Sequence, residues 1–160
     1  HDDYDSAPNV DHYLGDFGEY TLNGIKFFFI RGGLSIDRVY RVGDELNGGQ
    51  KTYWSQEELT LKEMLECIKL YKKIKPDLIL SHVPPACIID DIHGNKDNTI
   101  LKKFEFHEGF RENTSLLGDE LLKIHRPKQW FFGHHHVAYS QIINKTMFTC
   151  LPELHTYELS

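Results

Sequence analysis

Short apolar runs separated by turn residues recur along the chain and predict several buried strands. In residues 18–33, Asn23-Gly24 is a strong two-residue hairpin signal between two such runs. Residues 77–85 and 129–132 are further short apolar runs, each close to a proline or a glycine. Residues 137–151 have the pattern of a second hairpin that turns at Asn144-Lys145.

Two segments have the apolar spacing of amphipathic helices. Within residues 54–76, apolar side chains recur at i, i+3, i+4 and i+7, at Leu61, Met64, Leu65 and Ile68. Thr60 and Glu63 fit a capping box, and Pro76 ends the pattern, so we predict that the main helix starts at Thr60. Residues 114–127 predict a second helix, which Pro127 stops.

The remaining long segments have no clear period. Residues 34–54 contain three glycines and predict a loop with short strand pieces. Residues 86–110 are polar and irregular, and we interpret them as a long excursion beyond a strand end, where functional residues often lie. A helix followed by a buried strand occurs twice, which favours an α/β fold, and 160 residues suit one domain.

Composition narrows the function classes only a little. The net charge of -6 argues weakly against long nucleic acid as the main partner without excluding it. No apolar run approaches the length of a membrane-spanning helix. Three scattered cysteines without a C-x-x-C pair predict buried thiols in a reducing compartment, so we expect a cytoplasmic protein.

The histidines carry the clearest chemical signal, with ten in the chain. His82 follows one predicted buried strand, and the tripeptide 134–136 follows another. Because ligands collect beyond the carboxyl ends of parallel strands, these imidazoles would converge if the two strands are neighbours. In an extended segment His134 and His136 point to one side and His135 to the other, with Gly133 allowing a sharp turn.

A metal site is the prediction from this joint pattern, since imidazole suits zinc, iron, manganese or nickel. Taken alone, His82 fits a hydrogen-bonded strand-end residue better than a metal ligand, and His134 and His136 fit surface positions. We expect His135 to be exposed or to contact a ligand rather than the ion.

Several motifs in order resemble one family. "SHVPP" and, some fifty residues later, "FFGHHH" resemble the lone histidine and the GH-x-H motif of the calcineurin-like metallophosphoesterases. "IRGGLSIDRVYR" and "YWSQEEL" resemble the middle of a bacterial and phage branch of that superfamily. "HDDYD" at the start is similar to the end of its GNH[DE] motif.

The resemblance implies a four-layer αββα double β-sandwich and a phosphoesterase with two divalent metal ions, Mn²⁺ first and Fe, Zn or Ni as alternatives. It implies that His82 and His134 bind one ion and His136 the other. His1 would protonate the leaving oxygen or stabilise the transition state, with Asp2 orienting it. The substrate would be a phosphate mono- or diester, whose identity the motifs do not determine, and they do not determine the oligomeric state either.

One departure affects the expected domain limits. The family's D-x-H motif, its bridging aspartate and the asparagine of GNH[DE] precede the position that His1 matches. We therefore expect residues 1–160 to be the C-terminal part of a single metallophosphoesterase domain whose upstream segment supplies those ligands.

Two other functions stay open at this stage. One is a non-catalytic scaffold with the same fold, although such a scaffold has little need of three strand-end histidines. The other is a mononuclear zinc hydrolase that uses His82, His134 and His136 as its ligands.

Two further groups of polar residues are candidates to contact the substrate. One of the arginines in 31–41 could clamp a phosphate oxygen, whereas pairing with Asp37 or Asp44 is at least as well supported. These arginines are Arg31, Arg38 and Arg41. In the 86–110 excursion, His93, Asn95 and His107 are candidates to line a substrate pocket.

Overall fold

The structure is a computed structural model that describes residues 13–35, 37–93, 111–135 and 137–158. Its strands are β1 (Phe17–Leu22), β2 (Ile25–Ile30), β3 (Leu78–Ser81), β4 (Gln129–Phe132), β5 (Tyr139–Ile143) and β6 (Thr146–Cys150). Its helices are α1 (Arg38–Leu46), α2 (Leu61–Ile74), α3 (Ala86–His93) and α4 (Asn113–Ile124), with a short 3₁₀ turn at Ser55–Glu57.

The strands form one six-stranded sheet in the order β1-β2-β3-β4-β6-β5. Strands β2, β3, β4 and β6 run parallel, and β1 and β5 are antiparallel edge strands. The four parallel strands therefore end at the same side of the sheet, which we call the carboxyl edge. Leu80 pairs with Phe131 across β3 and β4, so the residues that follow these two strands begin side by side.

The core lies between one face of the sheet and the helices. Helix α2 contributes Cys67 and Tyr71, both fully buried, and α4 contributes Leu117 and Leu121. The sheet side of this cluster consists of Phe28, Ile30, Ile79, Trp130, Phe132, Phe148 and Cys150. Burial of these large apolar side chains is the main stabilising contribution, at roughly 25 cal/mol per Å² of apolar surface.

The other face of the sheet is only partly covered. Leu80 is 43% exposed there, whereas Phe131 is covered by the ring of Tyr157, with 4.8 Å between the ring centroids. The α/β class and the family-like mixed sheet with flanking helices are confirmed. All strands of the described residues belong to one sheet, so a second sheet of the expected sandwich is not formed by this part of the chain.

Local signals predicted the regular elements with good boundaries. The hairpin of β1 and β2 turns at Asn23-Gly24, and that of β5 and β6 turns at Asn144-Lys145, all with positive φ. Helix α2 begins after Thr60, whose side chain and that of Glu63 form the expected capping box.

Two predictions of irregular structure were wrong. Helix α1 lies in the segment expected to be a loop, and α3 occupies the first eight residues of the expected excursion. Helix α1 has no buried residue: Val39, Val42 and Leu46 recur at helical spacing but are all exposed. Gly43 lies within that short pattern and obscured it. Residues 94–110 lie outside the described residues.

The cysteine prediction was right for two residues out of three. Cys67 and Cys150 are buried, whereas Cys87 is exposed on α3, and all three are free thiols. Across the described ranges, none of the helices is long and apolar enough to cross a lipid bilayer.

Candidate metal centre

Two histidines from neighbouring strand ends meet at the carboxyl edge. His82 directly follows β3, and His134 lies one residue beyond Gly133, which directly follows β4. The His82 Nε2 and His134 Nδ1 atoms are 3.0 Å apart. The two rings lie edge to face, with 4.8 Å between their centroids. The predicted convergence of these two imidazoles is therefore present in the fold.

The backbone of the second strand end brings His134 back towards His82. The Gly133 amide donates to the His82 carbonyl at 3.0 Å, which extends the contact between the two strands by one step. His134 has φ +64°, and the His135 amide donates to the Gly133 carbonyl at 2.7 Å. The chain thus makes a tight three-residue turn at His134.

This turn corrects the predicted role of strand alternation. The segment is not extended at His134, so alternation does not explain the direction of its side chain. The left-handed conformation is taken by His134 and not by Gly133, at which an added Cβ would meet only the His82 carbonyl, at 4.0 Å. A non-glycine residue with positive φ is uncommon and costly, and such strain concentrates at functional sites.

The two nitrogen atoms fit a pair of ligands on one ion. Ligand nitrogens at about 2.1 Å from a tetrahedral or octahedral ion are roughly 3.0–3.4 Å apart, which includes the observed separation. A hydrogen bond between a neutral donor ring and its neighbour fits the same distance. Within the described ranges, no three His, Cys, Asp or Glu side chains are grouped closely enough to hold an ion.

A buried carboxylate lies near this edge. Glu112 directly precedes α4, is 9% exposed, and accepts a hydrogen bond from the Leu34 amide in the segment after β2. Burial, supported by the nearby charge of Glu58, raises the pKa of Glu112 to about 7, against the opposing effect of the Leu34 hydrogen bond. The sequence offered no signal for this residue, because a glutamate before a helix is usually exposed.

The family model for calcineurin-like phosphoesterases matches residues 1–138 of this chain. The chain belongs to that family. A curated relative of this calcineurin-like phosphoesterase is a protein from Gallus gallus named "Lariat debranching enzyme", which is 28% identical over 141 residues. The match covers 84% of this chain and 25% of that protein, so the chain spans about a quarter of the relative's length.

Three of the site residues expected for the phosphoesterase lie outside the described residues. They are His1, Asp2 and His136. Asn95 and His107 of the excursion also lie outside them, as does the side chain of His93. Their assignments stay predictions.

His135, between the two expected ligands, is half-buried rather than exposed. Its ring packs edge to face against that of His134, with 5.4 Å between the centroids. This contact fits the expected alternative in which His135 touches a ligand side chain and holds it in place.

Two arginines of this segment, Arg31 and Arg41, pair with aspartates. Arg31 pairs with Asp16 and also donates to the Gln56 carbonyl. Arg41 pairs with Asp37 at 2.7 Å and donates to the Thr52 carbonyl at 3.3 Å. The pairing reading was therefore right for Arg41, and for Arg31 it was right with a different aspartate.

Proposed function

We propose that this protein is a metal-dependent phosphoesterase that hydrolyses a phosphate mono- or diester at a dinuclear centre. The supporting observation is the 3.0 Å approach of His82 Nε2 and His134 Nδ1 at adjacent parallel strand ends. In a calcineurin-like phosphoesterase, two imidazoles at this position favour ligation of a shared cation over a purely structural contact.

The proposal gives each histidine a role. His82 and His134 hold one ion, and His136 holds the other, with Mn²⁺ as the first candidate and Fe, Zn or Ni as alternatives. When bound, two such ions would supply an activated water at neutral pH and would neutralise the charge that develops on the phosphoryl oxygens. We propose that residues 1–160 form the C-terminal part of a single metallophosphoesterase domain. The rest of that domain would supply the family's remaining carboxylate ligands.

His1 and Asp2 would complete the reaction. His1 gives a proton to the leaving oxygen, for which an imidazole with a pKa near neutrality is suited. Asp2 accepts a hydrogen bond from the other ring nitrogen and so keeps His1 in the orientation required for that transfer. We further propose a cytoplasmic location, which the three free thiols support.

Turnover of a panel of phosphate esters in the presence of Mn²⁺ tests the activity. The panel should include monoesters, diesters and, because of the relative's name, a lariat. His134→Ala should abolish turnover in the complete protein, while the circular dichroism spectrum stays unchanged. His155→Ala is the matched control, since the His155 ring is exposed and its Nδ1 atom hydrogen-bonds to the Glu153 carbonyl. Full turnover by His134→Ala would refute the assignment.

Elemental analysis of the complete protein separates the alternatives. Two ions per chain support the dinuclear hydrolase. One zinc per chain, lost in His82→Ala and His134→Ala, would instead indicate a mononuclear zinc hydrolase with His136 as the third ligand. No bound transition metal, together with no turnover, would indicate a non-catalytic scaffold.

A further inference from the structure

We propose that Glu57 and Glu112 are positioning residues for the metal centre: they clamp residues 31–35 so that Gly33 sets the place of the His82 ring. We call residues 31–35 the strand-end loop, because they follow β2 at the carboxyl edge. The inference rests on the proposed function, since it gives the clamp a purpose in holding a ligand.

Two carboxylates hold consecutive amides of the strand-end loop. The Leu34 amide donates to Glu112 Oε2 at 2.6 Å. The Ser35 amide donates to Glu57 Oε2, and the Ser35 hydroxyl donates to Glu57 Oε1, both at 3.0 Å. The Gly33 amide donates to the Glu57 carbonyl at 3.2 Å. Each amide of the second half of the loop thus has a fixed acceptor from another part of the chain.

The placement of Glu112 is costly, which indicates a specific role. Leu34 and Ser35 are 6% and 3% exposed, and Glu112 is 9% exposed. A buried carboxylate is unfavourable unless hydrogen bonds compensate for the lost water. Glu112 occupies the N-cap position of α4, but its side chain caps no amide of that helix and binds the loop instead.

Gly33 of the strand-end loop packs directly against the ring of His82, a proposed metal ligand. A Cβ added at Gly33 would lie 2.6 Å from His82 Cδ2 and 2.8 Å from Val83 Cγ1. No side chain larger than hydrogen fits there unless the His82 ring moves. On its other side, His82 Nε2 meets His134 Nδ1 at 3.0 Å. The ring is therefore held between the loop and its partner ligand.

Gly32 contributes to the same arrangement. It has φ +103°, which favours glycine, and a Cβ at this position would lie 2.7 Å from the Glu57 carbonyl. The loop is thereby bent closely around the 3₁₀ turn that carries Glu57. The two glycines and the two glutamates form one unit, and loss of either acceptor should release Gly33 from His82.

Metal affinity in the complete protein tests the clamp, with Co²⁺ as the probe. Glu112→Ala removes the acceptor of the Leu34 amide, and Gly33→Ala forces the His82 ring to move. Each should raise the Kd for Co²⁺ by about 10–100-fold, as for other residues that orient a metal ligand. Glu112→Gln keeps an acceptor oxygen and should stay within about threefold of the wild type, so it should rescue the alanine variant.

Two control variants separate positioning from general damage. Gly43→Ala adds a methyl group in α1 where nothing lies within 4 Å, and Glu66→Ala removes an exposed carboxylate from α2. Both should bind Co²⁺ as the wild type does. If Glu112→Ala does not fold, Gly33→Ala and Glu112→Gln carry the test.

A spectroscopic measurement without metal gives an independent result. The ring ¹⁵N and ¹³C signals of His82 should move in Gly33→Ala and Glu112→Ala but stay in place in Glu112→Gln and both controls. Unchanged His82 signals and unchanged Co²⁺ affinity in the first two variants would overturn the clamp while the proposed function stands. If the wild type binds no Co²⁺, the proposed function fails, and the ring signals alone then decide whether the loop positions His82.

Discussion

At each end of the parallel strands, a carboxylate accepts a hydrogen bond from a backbone amide of a distant segment. The pKa of this carboxyl group is lowered at one end and raised at the other. At the amino ends, Asp77 accepts from the Lys26 amide at 3.4 Å and pairs with Lys128 Nζ at 3.3 Å. The Lys26 hydrogen bond, with help from Lys128, holds the pKa of Asp77 below its ordinary value of 3.8. At the carboxyl ends, burial raises the pKa of Glu112 to about 7.

Under the proposed function, this difference separates a structural end of the sheet from the end that carries the metal site. An open depression of about 610 Å³ lies at the amino ends, and Asp77 and Lys128 in its lining neutralise each other. Its lining residues, all in the described part of the chain, include no imidazole or thiol. At the carboxyl edge, by contrast, a buried carboxylate holds the loop that packs against His82. The proposed site therefore lies at the end that carries the strand-end histidines and not at the end that carries the depression.

The largest expected effect follows from removing a side chain at each end in turn. His82→Ala should lower both metal affinity and turnover at least about 100-fold, because it removes a proposed ligand and not merely a residue that orients one. Asp77→Ala should leave turnover unchanged. Steady-state kinetics on a phosphate ester with added Mn²⁺ measures both. Equal losses at the two ends would break the comparison.

The pH dependence of stability should come next in size. Glu112 binds a proton more strongly in the folded state, because its folded pKa of about 7 lies above its ordinary value of 4.5. Its contribution is therefore fully present below pH 4.5 and is lost as the pH rises towards 7. The loss should be about 3 kcal/mol in the free energy of unfolding, since each pKa unit corresponds to about 1.4 kcal/mol.

Urea unfolding measured between pH 4.5 and 8 checks whether the free energy of unfolding falls as the pH rises. Glu112→Gln should make the free energy of unfolding less dependent on pH over that range. Glu66→Gln, on the exposed side of α2, should not. An unchanged slope in Glu112→Gln would mean that another group titrates.

Asp77 should show the opposite sign and a smaller effect. Its folded pKa is lowered, so its contribution is present above about pH 3.8 and is lost as the pH falls further. Because the side chain is 38% exposed, water screens the interaction, and we expect less than about 1 kcal/mol. Acid unfolding of Asp77→Asn, compared with the wild type between pH 5 and 2.5, measures it. Greater acid sensitivity in the variant would contradict the prediction.

The smallest effect is expected for Lys128. Its side chain is 83% exposed, and an ion pair in such a position contributes about 0–0.5 kcal/mol. Lys128→Ala should therefore change the free energy of unfolding by no more than about 0.5 kcal/mol. Added salt should not alter that change by more than the experimental error. A loss of more than about 1 kcal/mol would show that the amino end is more strongly coupled than its exposure indicates.

The prediction of elements succeeded where a local rule determines the conformation. Asn23-Gly24 requires a turn with positive φ, and Thr60 with Glu63 satisfies the first amides of α2, whatever the rest of the chain does. Helix α1 escaped prediction because its apolar positions, Val39, Val42 and Leu46, span little more than two turns and Gly43 interrupts them.

For the site, the order of strand and histidine was enough to predict that His82 and His134 converge. That order was not enough to predict the backbone conformation that brings the two rings together. The positive φ of His134 replaced the expected strand alternation, and the backbone turn at that residue depends on its contact with the neighbouring strand end. Glu112 left no pattern in the sequence, and the motif "YWSQEEL" that contains Glu57 gave no sign of its partner, since both residues come from segments far from residues 31–35.

The amino-acid sequence by itself determined the local elements, the positions of the strand-end histidines and membership of a phosphoesterase family. These depend on short-range sterics, periodicity and ordered motifs, which are read along the chain. Only the tertiary structure decided which strands are neighbours, which carboxylates are buried and which glycine packs against His82. Those features depend on burial and on hydrogen bonds between distant segments, whose free energy exists only once the sheet and helices have packed.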